Sequence, residues 1–333
     1  MRLLIVAAMT MLPAHTAFSV EVTQADRASV VAAVTEHLES EYVDPTVGRK
    51  AAQQLRRRFD AAALEKATTG AAFAEALTRA LREETGDGHL QVEFSEAALS
   101  EDTKAADQKF SAQEMERYYG AHVNFGVQKA QRLEGNVGLL ELSVFPPATM
   151  GGNTVAAAMQ VVAHTDALII DLRRNGGGGD SVSLVASYLF DDAFDDRKPL
   201  SGIYDRPSGV TQQQYTLPYV PGARFGAKKP VFILISKRTF SAAEAFTYDM
   251  QALKRATVIG EPSGGGAHPF NYRRIHAHFV LWSVTQKSVN PITGANWQGT
   301  GVQPDVVVDP KDALERAVAL IAASRKQQAL HRR

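Results

Sequence analysis

Three stretches of the sequence carry residue types that can do chemistry. In Thr239-Phe240-Ser241-Ala242-Ala243-Glu244 a serine stands between an apolar run, VFILIS at 231–236, and a segment of helical composition. Two readings share these residues. Ser241 followed three positions later by Glu244 matches the S-x-x-E capping box, in which each side chain satisfies a backbone N–H at the start of a helix. A strand-to-helix turn is also where nucleophiles sit, because it exposes Oγ while the N–H groups and dipole of the following helix favour a developing oxyanion. Ala242 is too small to block that approach.

The second stretch is DLRRNGGGGD, 171–180, which comes after another apolar run. A glycine run lets the backbone adopt positive φ and turn N–H groups toward negative charge, which suits a phosphate cradle or an oxyanion hole. The P-loop requires Gly-Lys-Ser/Thr, which is absent, and four adjacent glycines before Asp180 do not meet the dinucleotide fingerprint. The third stretch is TGDGHL, 85–90, where glycine-flanked His89 is a candidate base for a serine; an imidazole ordinarily titrates at about 6.5. For metal, only His276 and His278 stand close, on an expected strand, and nothing there matches H-E-x-x-H.

The elements that must hold these stretches differ along the chain. From Thr23 to Thr85 apolar residues recur at helix spacing (Val30, Val31, Val34, Leu38; Leu55, Phe59, Ala62, Leu64; Phe73, Leu77, Leu81), which predicts a bundle of three helices. Residues 91–125 are polar and mixed, and read as a linker with one or two short helices. After Gly126 short apolar strands alternate with helices: VGLLEL, a helix over about 154–164, ALIIDL, a helix from Ser181, VFILIS, the helix after Ser241 and TVIG. Strands HAHFVLWSV and VVVD and a closing helix, 312–324, complete the pattern. That alternation predicts an α/β core with largely parallel strands buried on both faces.

Composition limits the partners. The 333 residues are 45% apolar, and 36 basic residues balance 36 acidic ones with no long block of like charge, so no footprint for nucleic acid or anionic lipid is present. Residues 1–19 combine Arg2, an apolar run from Leu3 to Leu12 and the A-x-A-like Ala17-Phe18-Ser19. They predict a cleaved secretory signal, too short to span a bilayer, and hence a periplasmic or secreted chain without stable membrane insertion. No cysteine is available for a disulfide framework.

Taken in order, DLRRNGGGG, VFILISKRTFSAAEAF, ATVIGEPSGGGAHP and NWQGTGVQPDVVV resemble the C-terminal processing and tricorn-like serine peptidase family, nearest to its interphotoreceptor retinoid-binding-protein-like branch. The likeness covers most of residues 130–310, and the helical segment ending in GDGHL resembles the same branch. It implies an α/β fold with a ClpP/crotonase-like core of ββα units over 126–333 and an N-terminal helical bundle over 20–90; processing proteases of the family commonly carry a PDZ domain before the core, and between His89 and Gly126 this sequence leaves no room for one. It implies Ser241 as nucleophile, with the N–H groups of Ala242 and of Gly177 or Gly176 as oxyanion hole. Where the processing branch has a lysine base this chain has Gly266, so a Ser-Lys dyad is not expected and His89 takes the role, as in the tricorn-like branch. Where that branch carries a relay glutamate this chain has Gln298, which hydrogen-bonds but cannot balance an imidazolium. Asp87 and Glu244 are the candidate orienting groups. The implied activity is hydrolysis of peptide or protein substrates without metal or other cofactor; the alternative on the same fold is a non-catalytic carrier of small hydrophobic ligands.

Overall fold

The structure, a computed structural model, describes residues 20–66, 69–100, 112–191 and 196–331; the expected signal segment, 1–19, lies outside them. Among these residues no helix is long and apolar enough to cross a membrane.

The N-terminal region begins with four helices, α1 (Gln24–Ser40), α2 (Pro45–Arg58), α3 (Ala61–Lys66) and α4 (Gly70–Thr85). The second apolar run, expected to form a single helix, is divided at Phe59, so the short α3 stands apart from α2. The starts of α1, α2 and α4 are capped by Thr23, Asp44 and Thr69, whose side chains accept N–H bonds from the first turn. Gly86 ends α4 in the left-handed conformation at φ 68°, which turns the chain into the His89 loop.

Residues 91–94 are not linker. They form β1 (Gln91–Phe94), with Val92 buried, too short a run for its alternation to stand out in the sequence. The strand pairs antiparallel with a much later one, and α5 (Ala112–Tyr119) and a 3-10 turn (Ala121–Gly126) complete this stretch. Then come β2 (Val127–Leu133), β3 (Val137–Leu142), α6 (Ala148–Val162), β4 (Ala167–Asp171), α7 (Ser181–Tyr188), β5 (Pro199–Asp205), β6 (Val210–Tyr215) and β7 (Val231–Ile235). The chain continues through α8 (Ala242–Ala252), β8 (Thr257–Gly260), β9 (Asn271–His276), β10 (Phe279–Ser283), β11 (Gln286–Val289), β12 (Val306–Val307) and α9 (Ala313–His331).

Helix α6 starts six residues before its expected position, because Asp180 Oδ1 holds the Ala148 N–H at 2.7 Å and so anchors a glycine-rich first turn. The expected strand HAHFVLWSV is broken by a turn at Ala277-His278, which makes β9 and β10 a hairpin.

The central sheet runs β12-β8-β7-β4-β3-β2 and is parallel except for β2. Leu140, Ile170 and Ile233 face α6, α7 and α8, while Leu139, Ile169 and Leu234 face Ala313, Ala317 and Ile321 of α9. Strands β4 and β7 are buried at every position, which is why they read as unbroken apolar runs. The N-terminal helices share their apolar cluster with Phe279, Leu281 and Val284, so the β1-β10-β9 sheet joins residues far apart in sequence and fastens the His89 loop to the core. A third sheet, β11-β5-β6, contributes Ile203, Tyr215 and Ser288 to the wall of the resulting cleft.

Candidate active site

Ser241 is the residue before α8, and its backbone sits at φ 52°, ψ −120°. Few residues other than glycine occupy that region, and a serine persists there only when its surroundings over-determine it. They do so from three directions. Thr239 Oγ1 donates to Leu172 O at 2.8 Å, and the Phe240 N–H donates to Asn175 O at 3.1 Å, which ties the turn to the end of β4. Gly177 lies against the serine so closely that a Cβ there would stand 2.7 Å from Ser241 Cβ.

The third constraint is Glu244, which is fully buried. Its Oε2 accepts the N–H groups of Ser241 and Gly266, each at 2.8 Å, and its Oε1 accepts Ser263 Oγ at 2.5 Å and the Gly265 N–H at 2.6 Å. Burial pushes this carboxyl up, against the pull of the four donors. Glu244 therefore fixes two backbone turns, those of the serine and of residues 263–266. It is not placed on an imidazole.

In the glycine run, Asn175 Oδ1 accepts the Gly177 N–H at 2.9 Å. That donor is engaged within its own loop, which argues against Gly177 as the source of an oxyanion N–H. The N–H groups of Gly176 and Gly178 have no acceptor among the described residues, and both glycines stand on the cavity wall with Ala242.

His89 is 4% exposed, its ring lying between Phe240 at 4.7 Å and Phe270 at 5.8 Å, centroid to centroid. Gly266 is a requirement of this packing, since a Cβ there would come within 2.7 Å of His89 Cε1 and collide with the Phe240 ring. Asp87, fully buried, accepts the His89 backbone N–H on Oδ1 at 3.0 Å, and His89 Nδ1 is 3.6 Å from the same oxygen. Oδ2 receives Tyr42 OH at 3.1 Å and His268 Nδ1 at 2.7 Å. Burial raises the Asp87 carboxyl, yet the His268 hydrogen bond and the neighbouring His89 outweigh it and hold it well below the usual carboxylate range. Asp87 is thus an anion with two imidazoles around it.

Gln298 stands one layer back. Its Oε1 accepts the Ala267 N–H at 2.8 Å, steadying the loop that carries His268, and it is not among the residues of the cavity wall. His276 and His278 diverge, His276 Nε2 lying 3.3 Å from Asp26 Oδ1 and His278 Nδ1 lying 2.9 Å from Ser95 O.

Ser241, Ala242, His89, His268, Gly176 and Gly178 line one cavity of about 880 Å³. Its remaining wall is rich in apolar and aromatic side chains, including Ile203, Tyr215, Phe270, Tyr272, Trp282 and Trp297. Sequence reasoning placed the serine, one histidine and two of the glycine-run residues in that wall or beside it, and overlooked Tyr42, Asn175, Ser263 and His268. A usable signal existed for His268 alone: GGGAHP, like GDGH, sets a histidine behind glycines.

Comparison with known proteins gives a family and a fold. The sequence model of Peptidase family S41 matches residues 136–308. Over 189 residues the chain is 29% identical to a carboxy-terminal-processing protease of Bartonella bacilliformis, covering 54% of this chain and 40% of that protein. Over 205 residues it is 27% identical to a tricorn protease of Thermoplasma volcanium, covering 58% of this chain and 18% of that one. These matches span less than half the length of either relative. A solved lipoprotein from Streptococcus agalactiae aligns over 96% of this chain and 100% of its own, with a TM-score of 0.54 and 13% identity, a likeness of fold.

Proposed function

The chain belongs to peptidase family S41, and from that premise we propose that it is a serine endopeptidase in which Ser241 is the nucleophile and His89 the general base. The observation that carries this reading is the backbone of Ser241, strained at φ 52° and held so by Glu244, on the wall of the cavity that also takes in His89. An ordinary cap needs no such strain.

In the proposed reaction Oγ attacks the carbonyl carbon of a peptide bond while His89 takes the hydroxyl proton. The oxyanion is met by the N–H of Ala242 and by an unpaired N–H of the glycine run, Gly176 or Gly178. His89 then gives its proton to the departing amine, and the C–N bond breaks to leave an acyl-enzyme. Water, deprotonated by the same imidazole, hydrolyses the ester and restores the serine. The imidazolium needs an anion beside it. With glutamine at 298, Asp87 fills that place, 3.6 Å from Nδ1.

The aromatic wall favours extended substrates with bulky apolar side chains near the scissile bond. We also read the chain as exported, on residues 1–19, to the periplasm or beyond.

The test is labelling of the purified mature chain with a serine-directed fluorophosphonate, mapping of the modified residue, and the His89→Ala variant in parallel. Labelling at Ser241 that falls away in the variant is expected. A folded chain that takes no label overturns the enzyme reading, and the apolar cavity then points to carriage of small hydrophobic ligands.

A further inference from the structure

Asp87 has an unusual set of neighbours for a buried anion. Its ion-pair partners among the described residues are two histidines, His89 and His268, with no lysine or arginine. Three segments converge on it: the chain between α1 and α2 brings Tyr42, the loop after β8 brings His268, and its own loop brings His89. The rings of Phe240 and Phe270, which flank His89, carry no charge. The positive charge that Asp87 meets at close range is therefore an imidazolium, and one carboxylate balances one.

The hydrogen bonds divide the work between the two oxygens. A carboxylate only accepts, so at 2.7 Å His268 Nδ1 must carry the hydrogen it gives to Oδ2. Tyr42 OH donates to the same oxygen, leaving Oδ1 to the His89 backbone N–H, with the His89 ring nitrogen Nδ1 3.6 Å from it. Neutral His268 is thus a donor that aims the carboxylate without consuming its charge. A second proton on His268 turns the contact into an ion pair, and the imidazolium that forms on His89 during acyl transfer then finds its counter-charge taken.

We propose that His268 is a positioning residue of the active site, acting through Asp87, and that His89 works at full rate as a base only while His268 is neutral. This rests on the reading of His89 as base. It predicts an acid limb governed by two protons on two imidazoles that share one carboxylate, titrating as a coupled pair.

The second-order rate of fluorophosphonate labelling at Ser241, measured against pH in the full mature chain, tests it. The native rate is expected to fall on the acid side with a limiting slope of two in log rate against pH. In His268→Asn the amide still donates to Asp87 but takes no proton; the slope is expected to drop to one, with the neutral-pH rate within about tenfold of native. His268→Ala, which offers no donor, should fall further than His268→Asn. A native slope of one, or a slope of two that persists in His268→Asn, overturns the proposal.

A second readout needs no chemistry at Ser241. In ¹⁵N-histidine spectra the ring of His89 is expected to titrate with two inflections in the native chain and one in His268→Asn. A single inflection in the native chain overturns the sharing of Asp87. Absence of labelling with two inflections present would instead refute the peptidase reading and leave the shared carboxylate standing.

Discussion

The helical region and the sheet core both begin helices on small polar residues, and they do so in opposite ways. Thr23, Asp44 and Thr69 sit in extended backbone, at φ −71°, −104° and −141°, and their side chains accept N–H bonds from the first helical turn. Ser241 sits at φ 52° with ψ −120°. The first arrangement is unstrained and adds stability. The second costs free energy that Glu244, Gly177 and the Phe240–Asn175 bond must offset. A shared sequence signature, a hydroxyl residue before a helix, therefore covers two physical situations, and the backbone separates them.

Substitution should break the likeness most sharply in activity. Ser241→Ala is expected to lower peptide hydrolysis by roughly 10⁶-fold, the scale of nucleophile loss, with the far-UV circular dichroism spectrum unchanged. Thr69→Ala, at a cap of the helical region, should leave labelling of Ser241 as it is under conditions where the chain is folded. Comparable loss in the two variants would mean that Ser241 is only a cap.

The helical region is not a bystander, because its last helix delivers His89. His89→Ala is expected to reduce the labelling rate by about 10²- to 10⁴-fold, the range of general-base catalysis. Less than a tenfold loss would move the base elsewhere, and His268 is the imidazole on the same wall.

Much of this contrast was readable from sequence, and the unreadable part has physical causes. Strands β4 and β7 are buried on both faces, so continuous apolar runs betrayed them; a glycine run marked the turn after β4, and Ser-x-x-Glu marked the turn and helix after β7. Strand β1 and the β5, β6 and β11 sheet escaped notice because they are short or half-exposed and owe their form to partners distant in the chain. At the site, Ser241 and His89 stood out through local composition. The sharing of Asp87 by His89 and His268 did not, since it joins residues 181 positions apart. The identity Ser-x-x-Glu was visible, whereas the φ of Ser241 is a tertiary fact.

The two regions should also respond to acid with opposite sign. Burial in the helical cluster, only partly countered by the Glu41 charge, lowers His37 to about 4. Its unfolded form binds a proton near 6.5 and its folded form does not, so the stability it lends falls as pH drops from about 6.5 toward 4, by up to about 3 kcal/mol. Burial on the inner face of α8 raises Asp249 to about 6, against bonds from Ser201 and Asn290. Its folded form holds the proton more tightly, so its contribution is complete below about 3.8 and is lost as pH rises through 6, again by up to about 3 kcal/mol. Hydrogen exchange compared at pH 7 and pH 4.5 should show protection weakening in α1 and strengthening in α8. His37→Gln should flatten the first response, and uniform change in both regions would contradict the assignment.

The smallest effect is the most direct measure of the strain at Ser241. Glycine occupies positive φ at no steric cost, so Ser241→Gly should relieve the turn and raise stability by about 1 kcal/mol. Thr69→Gly meets an extended backbone, has no strain to relieve and gives up the bond from the Ala72 N–H, so it should lose a few tenths of a kcal/mol. The signs, not the magnitudes, carry the distinction: alanine is the poorer residue at both positions, and only comparison of glycine with the native side chain separates stored strain from a lost cap. Urea unfolding of the two glycine variants beside the native chain decides it. Destabilisation by both would mean that the Ser241 turn is held at no cost, and the backbone would lose its value as the mark of the nucleophile.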